Sequence, residues 1–90
     1  MREFEVEEKL LKLLKKLFKK DNKKYEIVWR KINEIVNSFD VDHYKNLRYP
    51  INSFKRVHID NNFVLIFKYD RSADKVIFYD LDHHDKIYGI

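Results

Sequence analysis

Phe63-Val64-Leu65-Ile66-Phe67 is an unbroken apolar run, preceded by Asp60-Asn61-Asn62 and followed by the polar stretch Asp70 to Asp74. Its length and its β-branched and aromatic content suit a strand. A strand that is apolar at every position has no face to give to water, so it belongs inside a sheet with at least one face covered. The flanking segments supply its neighbours. Lys55-Arg56-Val57-His58-Ile59 alternates, with Val57 and Ile59 to one side and Arg56 and His58 to the other. Val76-Ile77-Phe78-Tyr79 is the heart of a third strand, Lys75 to about Leu81. Asn61-Asn62 forms a hairpin-type connection. The expected arrangement is an antiparallel three-strand meander.

The covering layer comes from the first half of the chain. Val6, Leu10, Leu13, Leu14 and Leu17 recur at helical spacing, and Leu11 and Phe18 widen that stripe. Lysines fill the opposite face. Glu7 and Glu8 suit the start of a helix, and Lys19 and Lys20 suit its end. Asp21-Asn22 reads as a turn. A second helix is expected from about Lys23 to Asn37, with Tyr25, Val28, Trp29, Ile32, Ile35, Val36 and Phe39 as its apolar stripe. Two amphipathic helices joined so tightly form an antiparallel hairpin. Arg2 to Val6 alternates and fits either a short strand or the start of the first helix. Ser38 to Ser53 carries the only proline, Pro50, and reads as an ordered loop bearing His43, Lys45, Arg48 and Tyr49. The chain ends soon after Tyr88, which leaves little room for another helix. The expected fold class is α+β: an N-terminal helical hairpin packed on a small antiparallel sheet, in one domain over residues 1–90.

Composition narrows the functional classes. With 44% hydrophobic and 16% aromatic residues the chain can bury a core, though a small one. One glycine argues against a glycine-rich phosphate loop, and the absence of cysteine excludes disulfides and thiolate metal sites. No apolar run has the roughly 18 residues of a membrane span, and no signal-peptide pattern opens the chain, so a cytoplasmic protein without membrane partners is expected. The net charge of +4 is unevenly spread. Lys9 to Lys24 holds eight lysines against Asp21 alone, which favours an acidic partner or a polyanion, or else a merely solvated helix face.

Candidate chemistry gathers towards the C-terminus, where three of the four histidines stand among aspartates, cations and Tyr88. The cluster Asp80, Asp82, His83, His84 and Asp85 has oxygen and imidazole donors that suit manganese or zinc. Adjacent His83 and His84 would point to opposite sides of an extended segment, and the spacing matches no recognised metal signature. No metal or cofactor is therefore expected.

The order of elements resembles the RelE/ParE superfamily of toxin–antitoxin toxins, especially the RelE- and YafQ-like members. The resemblance spans nearly the whole chain. It is carried by Phe54-Lys55-Arg56-Val57-His58-Ile59 with Phe63-Val64-Leu65-Ile66-Phe67, by Leu47-Arg48-Tyr49-Pro50, and by the closing His83-His84-Asp85-Lys86-Ile87-Tyr88. It implies a toxin that cleaves messenger RNA in the ribosomal A site. The RNA's own 2′-hydroxyl attacks the adjacent phosphate without a metal, and a cognate RelB-like antitoxin blocks the activity. By position, Arg56 and His58 match cationic or histidine positions on the family's second strand. His84 matches the general acid, and Tyr88 the aromatic that stacks on a base. Lys45, Arg48, Lys55 and His83 are the expected RNA contacts. Where several members carry an arginine one residue into the next strand, this chain has Val64, so that cation is either missing or supplied from elsewhere.

These residue types suit the reaction. Attack by a 2′-hydroxyl needs a proton acceptor, a cation on the phosphoryl oxygens and an acid for the leaving 5′-oxygen. Imidazole ordinarily titrates near pH 6.5 and serves as acid or base near neutrality. Arginine forks onto phosphate, and an aromatic ring gives a base a stacking plane. Read alone, His58 would be a structural or exposed histidine, and Tyr88 a core plug. Two alternatives differ in kind: a non-catalytic interaction module of the same fold, and a ParE-like toxin acting on a protein target.

Overall fold

The computed structural model describes residues 1–88, with the side chain of Tyr88 outside the described set. The leucine periodicity of the N-terminal third closes into α1 (Glu8–Lys20), and α2 (Asn22–Val36) follows after one residue. That residue, Asp21, caps α2: its carboxylate accepts the Lys24 backbone N–H at 3.1 Å. Leu10 and Leu14 of α1 and Val28, Ile32, Ile35 and Val36 of α2 are buried. Phe39, expected to extend that stripe, is fully exposed, because α2 ends at Val36 and the chain turns before reaching it.

The sheet is built from β1 (Glu3–Val6), β2 (Lys55–His58), β3 (Phe63–Asp70) and β4 (Lys75–His83) in the order β1-β4-β3-β2. The three later strands form the expected antiparallel meander, with the apolar run in β3, between β2 and β4. The N-terminal stretch that fitted two readings forms β1, whose residues Glu3–Val6 pair in parallel with β4, Glu3 opposite Lys75 and Val6 opposite Phe78, so the sheet is mixed. A parallel neighbour needs a long crossover, and everything from α1 to β3 supplies it. A bulge between Ile66 and Phe67 shifts the register from Asp80 to Phe78.

The helices cover one face. Leu10, Leu14, Val28, Ile32 and Ile35 join Leu65, Phe67, Val76, Phe78 and Leu81 in the main core. Phe67 and Phe78 are fully buried, and each contributes about 1.5–3 kcal/mol of transfer free energy. The opposite face has a smaller cluster, in which Leu47 covers Val64 and Ile66 with Phe54 and Ile87 packed around them. Residues 63–67 of β3 are therefore covered on both faces, which explains why that run is apolar at every position.

Two segments depart from expectation. A single 3-10 turn, Val41–His43, organises the start of the long loop. The C-terminal segment forms a short helix, α3 (His84–Tyr88), where little room for another helix was expected. Lys55, expected to touch RNA, is 6% exposed. Its ammonium donates to the Tyr44 carbonyl at 3.0 Å and to Asn46 Oδ1 at 3.1 Å. Its position in β2 is opposite Phe67, so its side chain serves the helix-covered side, where it anchors the loop.

Candidate active site

Alternation along β2 sends Lys55 and Val57 one way and Arg56 and His58 the other. Arg56 stands opposite Ile66, and His58 opposite Val64. Both thus rise beside the small apolar cluster on the face away from the helices. There they line a groove of about 410 Å³ together with Asn46, Arg48 and His84.

His84 reaches this groove through the β2–β3 hairpin. Asp60 Oδ1 accepts the backbone N–H groups of Asn62 at 2.8 Å and Phe63 at 3.0 Å. The Asn62 N–H, with that of Phe63 and the nearby Lys24 ammonium, holds the Asp60 carboxyl below its ordinary range against the opposing effect of burial. The turn so fixed presents the Asn62 carbonyl to the backbone N–H of His84, at 2.6 Å. The first residue of α3 is thereby set over β2. The imidazoles of His58 and His84 stack with centroids 5.5 Å apart and planes inclined by 27°. His84 Nδ1 also lies 3.8 Å from Asp85 Oδ1.

The loop contributes the other wall. Arg56 donates its backbone N–H to the Lys45 carbonyl at 3.0 Å, and Leu47 donates to Phe54 at 2.9 Å, so the loop runs as an irregular strand beside β2. Asn46 Nδ2 donates to the Asn52 carbonyl at 2.7 Å and ties off the excursion that carries Arg48. Arg71, through its hydrogen bond at 3.0 Å and its charge, holds the Asp42 carboxyl below its ordinary range and pins the loop's other end.

Of the residues singled out in the sequence, the groove brings together Arg48, Arg56, His58 and His84. Lys45 lends its carbonyl to β2, while its exposed side chain is not among the lining residues. His83 lies on the other side of the sheet, its ring 4.3 Å from that of Phe63. Tyr88 closes α3, and its side chain lies outside the described residues. Asn46 lines the groove and escaped notice, since a single asparagine in an aperiodic loop gives no signal beyond turn propensity. Val64 is fully buried under Leu47, so an arginine's length there is replaced by an apolar floor. The guanidinium groups instead come from Arg48 and Arg56. Among the described residues no three histidine, aspartate or glutamate side chains gather to hold a metal ion.

A protein of Methanocaldococcus jannaschii named "Putative toxin RelE4" is 51% identical over 88 residues, covering 98% of this chain and 92% of that protein. The chain belongs to the RelE toxin family. No family model matches this RelE-family chain. Its fold is similar to that of a metal-bound toxin from Helicobacter pylori, with a TM-score of 0.76, 18% identity and coverage of 98% and 100% of the two chains. YafQ from Escherichia coli gives a TM-score of 0.73 at 16% identity, covering 99% and 100%. A YoeB–YefM complex from Staphylococcus aureus gives 0.73 at 9%, covering 93% and 98%. At such identities the structural likeness speaks for the fold. The 51% relative carries the family.

Proposed function

We propose that this RelE-family toxin is an endoribonuclease that cleaves messenger RNA on the ribosome by metal-independent 2′-hydroxyl transesterification. The observation that carries this reading is the meeting of His58 and His84 in one groove with Arg48 and Arg56. In the proposed reaction the 2′-oxygen bonds to phosphorus as the bond from phosphorus to the 5′-oxygen breaks. The products are a 2′,3′-cyclic phosphate and a free 5′-hydroxyl. His84 gives its proton to the leaving 5′-oxygen, and His58 accepts the proton of the attacking hydroxyl. The two guanidinium groups meet the charge that grows on the phosphoryl oxygens.

The groove is open, and His58 is exposed. An RNA strand laid in it would still have to be bent into line for attack. Holding the reacting groups in that geometry accounts for several kcal/mol of such a barrier. The ribosome is the proposed source of that positioning, and naked RNA is cut poorly. A proteinaceous antitoxin is the proposed inhibitor. The YoeB neighbour was solved bound to a second protein, YefM, and the lysine-rich α1–α2 region favours an acidic partner.

Primer extension on a translated message tests the reading, with and without a chelator, beside the same RNA free of ribosomes. The expected result is cutting within the translated message that chelator leaves unchanged. Intact messages in the presence of a protein that still binds its antitoxin would favour the interaction-module reading. Loss of cutting on chelation would require a metal-dependent one.

A further inference from the structure

On the sheet face turned away from the helices, a lysine sits against two aromatic rings. Lys68 lies two residues beyond Ile66 on β3, so its side chain rises on the same face as the small apolar cluster. Its ammonium is 4.5 Å from the centre of the Phe54 ring and 5.7 Å from that of Tyr79. The two rings meet edge to face, with centroids 5.0 Å apart and planes at 87°. The bulge supplies Tyr79. Register passes from Asp80 opposite Ile66 to Phe78 opposite Phe67, which leaves Tyr79 as the extra residue of β4. A bulge re-aims a side chain in this way at the cost of regular pairing. Phe54 immediately precedes β2 and packs on the cluster of Leu47, Val64 and Ile66.

The chain leaves the charge of Lys68 unanswered. The other lysines that are buried or half-buried each meet an acid: Lys24 pairs with Asp60, Lys31 with Glu34, Lys55 with Asp42 and Lys75 with Glu5. Lys68 is half-buried too, yet among the described residues no carboxylate lies within ion-pair distance of it. The rings restrain the ammonium without neutralising it, and its hydrogens can still donate outward. A donor restrained in this way loses less freedom when it binds an anion. The place is continuous with the histidine groove. Arg56 of β2 stands opposite Ile66, and Lys68 is one two-residue step, about 7 Å, further along β3. We infer that Lys68, held by Phe54 and Tyr79, grips a phosphate of the RNA strand beside the one cut in the histidine groove. This second phosphate subsite rests on the nuclease reading for the identity of the strand. A phosphate suits an ammonium, which acts as a point charge and needs no fixed approach. A stacked base does not fit, because the ammonium already occupies the space over the rings. Contacts to phosphate fix register and orientation, so this one sets which phosphate reaches the histidines.

The probe is a fluorescent single-stranded RNA with every 2′-hydroxyl methylated, so that it binds but cannot be cut. Affinity is read by anisotropy across a range of salt. Lys68→Met keeps the stem over the rings and removes the charge. Its Kd should weaken about tenfold, the low end for a bond to a charged group. The slope of log K against log salt should become shallower by about 0.7, the share of one single-strand phosphate. Lys68→Arg should restore both. A neutral methylphosphonate moved along the RNA should weaken wild-type binding at one position to which Lys68→Met is indifferent, and that position should differ from the one matched to Arg56→Ala. In the wild-type protein, the NMR signals of the Lys68 ε-methylene should shift with the charged RNA and not with RNA neutral at that position, which reads the contact without any variant. An unchanged salt slope in Lys68→Met protein that circular dichroism shows to be folded would overturn the inference. So would RNA that leaves the Lys68 signals unmoved, or a scan in which Lys68 and Arg56 answer to the same phosphate. A polyglutamate peptide that displaces the RNA, and whose own binding is lost in Lys68→Met, would assign the ammonium to an acidic protein segment instead. Binding is read whether or not the chain cleaves RNA. Intact messages with the Lys68 effects present would strike the nuclease reading alone, and cut messages with those effects absent would strike this subsite alone.

Discussion

The Asn62 carbonyl accepts the backbone N–H of His84 at 2.6 Å and so fastens the last helix to the tip of the β2–β3 hairpin. Residues 58 and 84 are far apart in sequence, and this bond joins their elements directly beside the imidazole pair. The turn is held in turn by the Asp60 carboxylate, through its bonds to Asn62 and Phe63.

Removing that carboxylate should therefore act at a distance. Asp60→Ala deletes two backbone hydrogen bonds, each worth about 0.5–1.5 kcal/mol. Stability should fall by roughly 1–3 kcal/mol in urea unfolding, with a disproportionate loss of message cutting as the imidazole spacing loosens. Asp60→Asn keeps an acceptor oxygen and should recover most of the stability. If Asp60→Ala lowered stability but left the two histidine ring signals in the NMR spectrum unmoved, the turn would have no part in placing them.

Acid should weaken the fold through the same kind of bond. Asp60 is held low first by the Asn62 N–H, Asp42 by Arg71, and Asp74 by the Tyr69 hydroxyl followed by Arg2. A carboxyl whose folded pKa lies below its unfolded value, about 3.9, stabilises fully above that value. The contribution disappears as pH falls through the folded pKa. On account of these groups the urea midpoint should be flat from neutrality to about pH 5 and fall below about pH 4. The Asp42→Asn/Asp74→Asn variant should lose midpoint at neutral pH and show a shallower decline in acid.

Lys55 should behave as a structural cation. Its ammonium donates to the Tyr44 carbonyl and Asn46 Oδ1 while almost wholly buried. Lys55→Ala strands those acceptors, and hydrogen bonds to a charged group are worth about 1.5–3 kcal/mol. The expected outcome is a stability loss of that order, with the salt dependence of RNA binding unchanged for the fraction that remains folded. A shallower salt slope without destabilisation would return Lys55 to the RNA surface.

The elements were largely legible because each obeyed one period. The leucines of α1 and the alternation of β2 point the same way locally and globally. Lys55 and Arg56 show the limit of that reading. Alternation separates them onto two faces, but it does not say which face a loop will bury, so a lysine between strand and loop reads as solvent-exposed. The same limit hid α3. A short polar segment has no periodicity to display, and its helix depends on a contact with Asn62 that no local pattern encodes. Asn46 was hidden for the same reason: it is placed by its side-chain bond to the Asn52 carbonyl within an aperiodic loop, which no local pattern displays.

Arg48 and Arg56 should divide the electrostatic task that Val64 leaves undone. Arg56 rises from a paired strand opposite Ile66, and Arg48 from a loop tied by Asn46 and Leu47. Removing a preorganised donor from developing charge costs about 10²–10³-fold in rate. Arg56→Ala and Arg48→Ala should each slow single-turnover cutting on ribosomes by up to that order, with thermal stability nearly unchanged for exposed Arg48. His84→Ala should cost about 10²–10⁴-fold through loss of the acid. A message bearing a sulfur in place of the leaving 5′-oxygen needs no proton on departure, so it should restore cutting by the His84→Ala variant and leave Arg48→Ala impaired. Equal rescue of both variants would mean that His84 and Arg48 do not have separate roles, and would count against the assignment of the acid to His84.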